Sequence, residues 1–587
     1  MVPVSFDDCI GWLHEGQFGP DNSARGVVLM NPFGFEELCS RKAFVLLAQA
    51  LSARGIPVLR FDWSAAGDSL GGPFDSRQVE RWRANAHAAI ETLKRHAGVS
   101  EVVLVGMRLG GLLAAEAASA RTDVSRLVLI APPASGKAWL REISAFARLM
   151  ASPDVSAKSF DGLECAGFRL SKETVDDIKQ LNWSNLTACP APQVDIFAAR
   201  SPAQDDPLPQ QLQALGASIS NGIFAGYDSL MCDPTASEVP LGTLTALAAR
   251  IADKAPVSER VAEPHAFTPI SGYGFSEMPA RIGEKTVMAG IFCNPLERTE
   301  RSEAVILLNA GAIHHGGWGR MHVDLARRLA RHGIASLRLD LPGIGDSASL
   351  SDPQVASLYS RKMTSEVTQA IGWLKDRGYR RITLAGACSG AYQAFHAAIA
   401  DERVDQLVLL NQLCFVWGKS YSIQFNAWQA TKSRAMQVQL AGDDSENSLA
   451  AARSLARLLP IARKAAKTSI SALMSLQTMA ANALARENPV EAAFANLSAR
   501  GTRILLAFSE GDAGLSELER HLGPEGENAT SLPGVEKIII ENADHLLTSV
   551  QSREVYGDRL VAFLDASQTQ TLTRDRPLWE TVSAGAA

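Results

Sequence analysis

A cysteine framed by glycines two positions away on either side, in Gly386-Ala387-Cys388-Ser389-Gly390, is the residue of this chain best suited to covalent chemistry. The apolar run ITLA leads into it and AYQAFHAAIA follows, so a strand enters the turn and a helix leaves it. A turn that holds its central residue at a strained backbone conformation needs small neighbours, and Gly386 and Gly390 supply them. Cys388 at the tip would attack a carbonyl and carry an acyl group as a thioester, its thiolate favoured by the helix N-terminus. Ser389 is the rival nucleophile, since a turn shifted by one residue would place Ala387 and Ala391 at the small positions.

The elements that must position such a turn occur twice. GVVLMNPFG…GIPVLRFDWSAAGDS, from Gly26 to Ser69, matches AVILLNAGA…GIASLRLDLPGIGDS, from Ala304 to Ser347. Asn31, Asp62, Gly67, Asp68 and Ser69 correspond to Asn309, Asp340, Gly345, Asp346 and Ser347 at an offset of 278 (340 − 62). VVLVGMRLGGLLAA corresponds to ITLAGACSGAYQAF, and RLVLI to QLVLL, at an offset of 280 (388 − 108). A period this long signals two copies of a whole domain. Each copy alternates β-rich apolar runs with helical stretches: strands at 27–31 or 305–309 and at 57–62 or 335–340, with helices at 43–54 or 323–331 between them. That alternation predicts parallel strands covered on both faces, a doubly wound α/β sheet in each half. Ligands of such sheets bind beyond the carboxyl ends of the strands, where the duplicated Asn, Asp and Gly residues fall.

In the first copy the corresponding turn reads Gly106-Met107-Arg108-Leu109-Gly110. Arginine cannot serve as a nucleophile, and no histidine lies between His96 and His265 to act as a base, so this copy is expected to be catalytically degenerate. Arg108 at the head of a helix is expected either to hold a substrate anion or to pair with a local carboxylate.

The strand-turn-helix of the second copy resembles the nucleophile elbow of the α/β-hydrolase superfamily, with Cys in place of Ser in G-x-S-x-G, and LDLPGIGDS resembles the peptidase- and esterase-like members. The resemblance covers nearly all of both copies. The first half, with its G-x-R-L-G turn, is similar to hydrolase-like proteins of bacterial exosortase and exopolysaccharide systems, and the second, with NAGAIHH and GACSGA, to their partner group. The superfamily's chain order of nucleophile, acid and histidine implies Asp512, after the strand RILLAF, and His545, after VEKIIIE, as partners of Cys388. Glu510 is the fallback acid, and His521 and His396 are weaker bases. The same resemblance implies an oxyanion hole from the Ser389 backbone N–H and the loop Asn309-Ala310-Gly311-Ala312, with Gly311 and Ala312 as donors. His314 and His315, next on that loop, are expected either to line a substrate pocket or to sit on the surface.

At 587 residues the chain is too long for one core. The reading divides it into a degenerate domain at 1–255, a Pro-containing linker at 256–269, an active domain at 270–566 and a polar tail at 567–587, with a helical cap over the second site at about 420–486. Against 57 Lys+Arg stand 63 Asp+Glu, a net charge of −6 without basic clusters, so nucleic acid is not an expected partner. No apolar run approaches the roughly 18 residues of a membrane span, and Asp7 and Asp8 occupy the place of a signal's basic start, so a cytoplasmic protein without a membrane partner is expected. Eight scattered cysteines form no C-x-x-C pair, and neither a metal nor another cofactor is expected. Together these features anticipate an acyl-transfer enzyme, a thioesterase, esterase or acyltransferase. Its donor would be a small acyl ester or thioester, carrier- and CoA-linked donors included. A peptidase-like hydrolase and a non-catalytic scaffold are the alternatives.

Overall fold

The computed structural model describes residues 1–16, 23–150, 160–200, 206–256, 262–263, 267–283, 287–297, 301–349, 358–417 and 488–574. Two large sheets carry the fold, one in each half. The first has eight strands in the spatial order Val2–Phe6, Cys9–His14, Val58–Phe61, Arg25–Met30, Glu101–Met107, Val124–Ile130, Gln193–Ala198 and Ser218–Ile223. The second has nine: Ile270–Gly272, Phe275–Ile282, Met288–Pro295, Ala335–Leu339, Glu303–Leu308, Arg381–Ala387, Val404–Leu410, Arg503–Ser509 and Val535–Ile540. From Val58–Phe61 and Ala335–Leu339 onward the strands are parallel, and helices bury both faces.

The sheets are mixed rather than wholly parallel, because each half opens with antiparallel strands, Val2–Phe6 with Cys9–His14 and Phe275–Ile282 with Met288–Pro295. Helices start earlier than their apolar periodicity predicts. Phe35–Ser52 and Met321–Arg331 include polar first turns that still pack inward, Glu36, Glu37 and His322 being buried. The last helix, Val550–Arg574, runs past residue 566 into the stretch expected to be a loose tail. The expected cap at 420–486 lies outside the described residues.

The two halves meet through charges that neither could bury alone. Within each half the turn after the second parallel strand folds back on its own aspartate: Asp62 accepts the Asp68 N–H at 3.0 Å and Asp340 accepts the Asp346 N–H at 2.8 Å. A side chain at Gly67 or Gly345, both at positive φ, would collide with that same carboxylate. The second aspartate of each turn then crosses to the other half. Arg60 and Arg41 bind Asp346, each at 3.0 Å, and Arg338 binds Asp68 at 3.0 Å. Arg41 also binds its own Asp62 at 2.8 Å, and His315 plays the matching part in the second half, bridging Asp340 at 2.7 Å and Asp68 at 2.6 Å.

The contact is isologous in form, with the same turn of each copy offering its acid to the other's arginine. This corrects the expectation that the duplicated acids mark ligand sites, since Asp68, Asp340 and Asp346 are buried against the partner half. Apolar side chains seal the same junction. Ile313, Trp318 and Ala348 pack into the cluster built on helix Phe35–Ser52, and the Trp318 indole N–H donates to the Ala166 carbonyl at 2.6 Å. Replacing Asp68 by Asn leaves Arg338 and His315 facing a neutral group in a dry interface, and should lower stability by about 3–5 kcal/mol in denaturant unfolding. A loss under about 1 kcal/mol would show that the junction does not depend on this exchange.

Candidate active site

Strand Arg381–Ala387 delivers Cys388 at φ 53°, ψ −113°, and helix Ser389–Ala400 begins with the next residue. A non-glycine residue held there stores strain of order 1–3 kcal/mol. The surroundings maintain it: the Cys388 N–H donates to the Leu410 carbonyl at 2.9 Å, and any side chain at Gly386 or Gly390 would collide with the carbonyls of Gly390 or Leu308. Arg108 has the same conformation, φ 54°, ψ −126°, and the same anchor, its N–H donating to the Ile130 carbonyl at 3.0 Å.

Asp512 ends the turn after strand Arg503–Ser509 and caps helix Ala513–Leu522. Its Oδ1 accepts the Gly514 N–H at 2.8 Å while its Oδ2 accepts from His545 Nδ1 at 2.7 Å. One oxygen thus fixes the carboxylate to the scaffold, and the other fixes the imidazole. His545 Nε2 is buried and has no hydrogen-bond partner among the described residues. Burial alone would lower the His545 pKa. The facing Cys388 sulfur is the largest opposing influence, Asp512 adds to it, and together they push the imidazole up to about 10. Cys388 is buried, 8% exposed.

The expected oxyanion loop lies beside the elbow, but its donor is engaged. Gly311 N–H donates to Ser389 Oγ at 2.8 Å, so the serine hydroxyl occupies the place where a substrate oxygen would sit. Ala312 follows, half-buried. His315 is neither pocket wall nor surface. It is fully buried between two aspartates, which hold it protonated against the opposing effect of burial. His314 is buried too, its Nε2 3.3 Å from Glu37 of the first half, and it lines a cavity between the halves rather than the space above Cys388. Of the weaker bases, His396 faces the Phe415 carbonyl and His521 lies beside Glu517. Arg108 is tied to Glu36 at 2.6 Å and to Glu142, with Glu36 also accepting from the Trp139 indole. Its charge is neutralised inside its own domain, which removes it as a substrate anchor.

Three residues that sequence reasoning passed over complete the surroundings. Asn411, at φ 47° and fully buried, donates to the Ser509 hydroxyl and to the His545 carbonyl, each at 2.9 Å, and accepts the Ser509 N–H at 2.7 Å. It clamps the acid's strand to the histidine's loop. The repeat carried a signal for it, because the offset of 280 pairs Asn411 with Ala131, which has the same positive φ and no such side chain. Tyr359, stacked on Trp417 at 3.9 Å, turns its phenol towards Cys388. Burial and that sulfur both raise its pKa. Thr235 of the first half lies so close to Gly311 that a side chain there would collide with its hydroxyl.

His315, Asp340 and Asp346 also bring potential metal-ligand atoms within 4.8 Å of one another. Arg41 and Arg60 already neutralise Asp346, and His315 is protonated between its two acids, so the donor set is that of an ion-pair cluster. None of the described helices is long and apolar enough to cross a membrane.

Comparison with known proteins bears on the fold. A family model described as serine aminopeptidase, S33, matches residues 22–181, and the α/β hydrolase family model matches residues 305–558. The chain therefore carries two α/β-hydrolase domains in tandem. Similar solved structures include a dienelactone hydrolase from Anabaena variabilis, 13% identical, covering 50% of this chain and 98% of its own, with a TM-score of 0.32. The Pyrococcus furiosus esterase Pf2001 is 14% identical over 50% of this chain and 93% of its own, TM-score 0.33. The α/β hydrolase GrgF from Penicillium is 18% identical over 50% and 98%, TM-score 0.31. A comparison with curated proteins finds no match. The comparisons show the superfamily and do not show the narrower exosortase-associated resemblance.

If Asn411 sets the position of His545, Asn411→Ala should leave KM nearly unchanged and lower kcat by about 10²-fold. Circular dichroism should show a native fold, and an unchanged kcat in a folded variant would remove Asn411 from the positioning role.

Proposed function

We propose that the C-terminal domain is an acyl-transferring hydrolase, a thioesterase, esterase or acyltransferase, that works through a covalent acyl-enzyme on Cys388. The observation that carries this reading is the aim of His545. Asp512 pins one ring nitrogen, and the other is left unbonded in a buried position facing the sulfur. Against the lowering effect of burial, the Cys388 sulfur is the largest influence raising the His545 pKa, which suits a base placed beside a thiol nucleophile. The engagement of Ser389 Oγ with Gly311 supports Cys388 over Ser389 as nucleophile.

In this reading the thiolate attacks the carbonyl of an acyl ester or thioester, and the carbonyl π pair moves onto oxygen. The developing oxyanion is met by the Ser389 N–H at the helix start and by the Gly311 N–H, once the Ser389 side chain rotates away. Collapse breaks the bond to the leaving alkoxide or thiolate, which takes the proton from His545 Nε2. Water, an alcohol or an amine then gives its proton to His545 as it attacks the thioester, and Cys388 leaves as thiolate. A small-molecule acyl donor, CoA- or carrier-linked forms included, suits a thiol nucleophile, because an acyl thioester keeps enough transfer potential to pass its acyl group on.

Intact-protein mass spectrometry after brief exposure to a panel of acyl thioesters and activated esters should show the gain of one acyl group. Cys388→Ala should abolish the gain and Ser389→Ala should keep it. A gain that persists in Cys388→Ala and disappears in Ser389→Ala would move the nucleophile by one residue.

The His545 ring offers a separate check. Its charged form is favoured in the fold, so its stabilising contribution is complete below the ordinary histidine value near 6.5 and is lost as pH rises through about 10. Selective ¹³C-histidine NMR should place its titration well above that of an exposed histidine, and Cys388→Ala should bring it down. A midpoint indifferent to Cys388 would break the proposed ion pair.

A further inference from the structure

Between the halves, away from Cys388, lies a cavity of about 760 Å³, within the range of small-molecule sites. One wall belongs to the degenerate domain and is largely apolar, with Phe33, Trp82, Trp139 and Ile143, although Glu37, Arg169 and Thr174 also line it. Phe33 follows Asn31 by the same two positions that separate Gly311 from Asn309, so this wall is the degenerate domain's counterpart of the oxyanion side of an active site. The opposite wall belongs to the second half and is cationic. Arg320 and Arg553 line it, and among the described residues neither has a carboxylate within ion-pair distance.

Both guanidiniums are held by carbonyl oxygens alone. Arg320 donates to Ala65, Gly67, Ser69 and Gly71, and Arg553 to Trp318, Gly319, Gly167 and Thr548. Carbonyl dipoles satisfy their donors without cancelling their charge. Burial lowers both, Arg320 to about 10, and the acid that counteracts it most in each case, Asp324, sits exposed at the rim.

A largely apolar wall facing two half-buried guanidiniums without a carboxylate partner matches one kind of occupant. We propose that this cavity binds an amphipathic anion, a carboxylate or phosphate head on an apolar tail, with the tail against Trp82, Trp139 and Ile143 and the head towards Arg320 and Arg553. The proposal does not rest on acyl transfer at Cys388.

Isothermal titration of the full-length Cys388→Ala chain with dodecanoate, dodecyl phosphate and dodecanol tests it, since that variant cannot form an adduct on Cys388. At least one anion should bind once per chain and about tenfold or more tighter than dodecanol, and which anion wins distinguishes a carboxylate from a phosphate ligand. Arg553→Gln should weaken the anion about tenfold with little effect on dodecanol. Ile143→Trp, which fills the apolar end and touches no arginine, should weaken all three. Absence of anion binding, equal binding of dodecanol, or unchanged affinity in a folded Ile143→Trp variant would each overturn the proposal.

Discussion

A carboxylate removed from water must find a cation, and in this chain the cation for the buried turn of each half is supplied by the other half. Asp346 meets Arg41 and Arg60, while Asp68 meets Arg338 and His315. Breaking the halves apart would take both arginines from Asp346, Arg338 and His315 from Asp68, and its acid from Arg60, while Arg41 would keep Glu37 and Asp62 and Arg338 would keep Glu277. The exchange also fixes what sits next to it. His315 belongs to the loop that begins at Asn309, so the ion pair that joins the halves also anchors the loop carrying Gly311.

The two elbows separate backbone from chemistry. Arg108 and Cys388 share a strained conformation and the same hydrogen bond to the adjacent strand, so the geometry that exposes a nucleophile persists in a half that has none. What differs is the company at the tip. Glu36 and Glu142 close on Arg108, whereas Cys388 faces a histidine whose other nitrogen is held by a helix-capping aspartate. A guanidinium, charged at any accessible pH, attracts acids and is silenced by them. A thiol paired with an imidazole can change its charge, and that capacity is what catalysis by this fold requires.

Legibility in the sequence followed the range of the interaction. The elbow is set by residues within two positions of Cys388, and the strands before Asp512 and His545 show as short apolar runs, so both the parallel part of each sheet and the three candidate catalytic residues could be read off the chain. The opening antiparallel strands could not. Cys9–His14 and most of Met288–Pro295 are buried on both faces, so CIGWLH and MAGIFC lack a clean alternation. The second aspartate of each turn looked like a ligand group because nothing local reveals that its partners lie 247 to 305 positions away. His315 was open between pocket and surface for the same reason. Asn411 was accessible in principle, by comparing the copies and asking which polar residue stands where the degenerate half has alanine. Thr235 and Tyr359 reach the site through packing between distant segments and left no pattern to find.

The interdomain cavity and the Cys388 site stand on opposite sides of one loop, with His314 lining the first and Gly311, three residues earlier, beside the second. That loop is a poor candidate for large movement. His315 makes two charged hydrogen bonds through its ring and a third through its backbone N–H to Asp340 at 2.6 Å, all fully buried, and His322 ties Asn309 at 2.9 Å. Such a loop serves as a fixed platform, which is the condition under which backbone donors stabilise a developing oxyanion without reorganising at the moment of reaction. The movable part is smaller. Ser389 Oγ covers the Gly311 donor through one neutral hydrogen bond, worth about 0.5–1.5 kcal/mol net, while a developing oxyanion in the same place would make a charge-assisted one roughly twice as strong. In the proposed mechanism, exchange of the serine hydroxyl for substrate oxygen would run downhill as charge develops, the donor being satisfied until then.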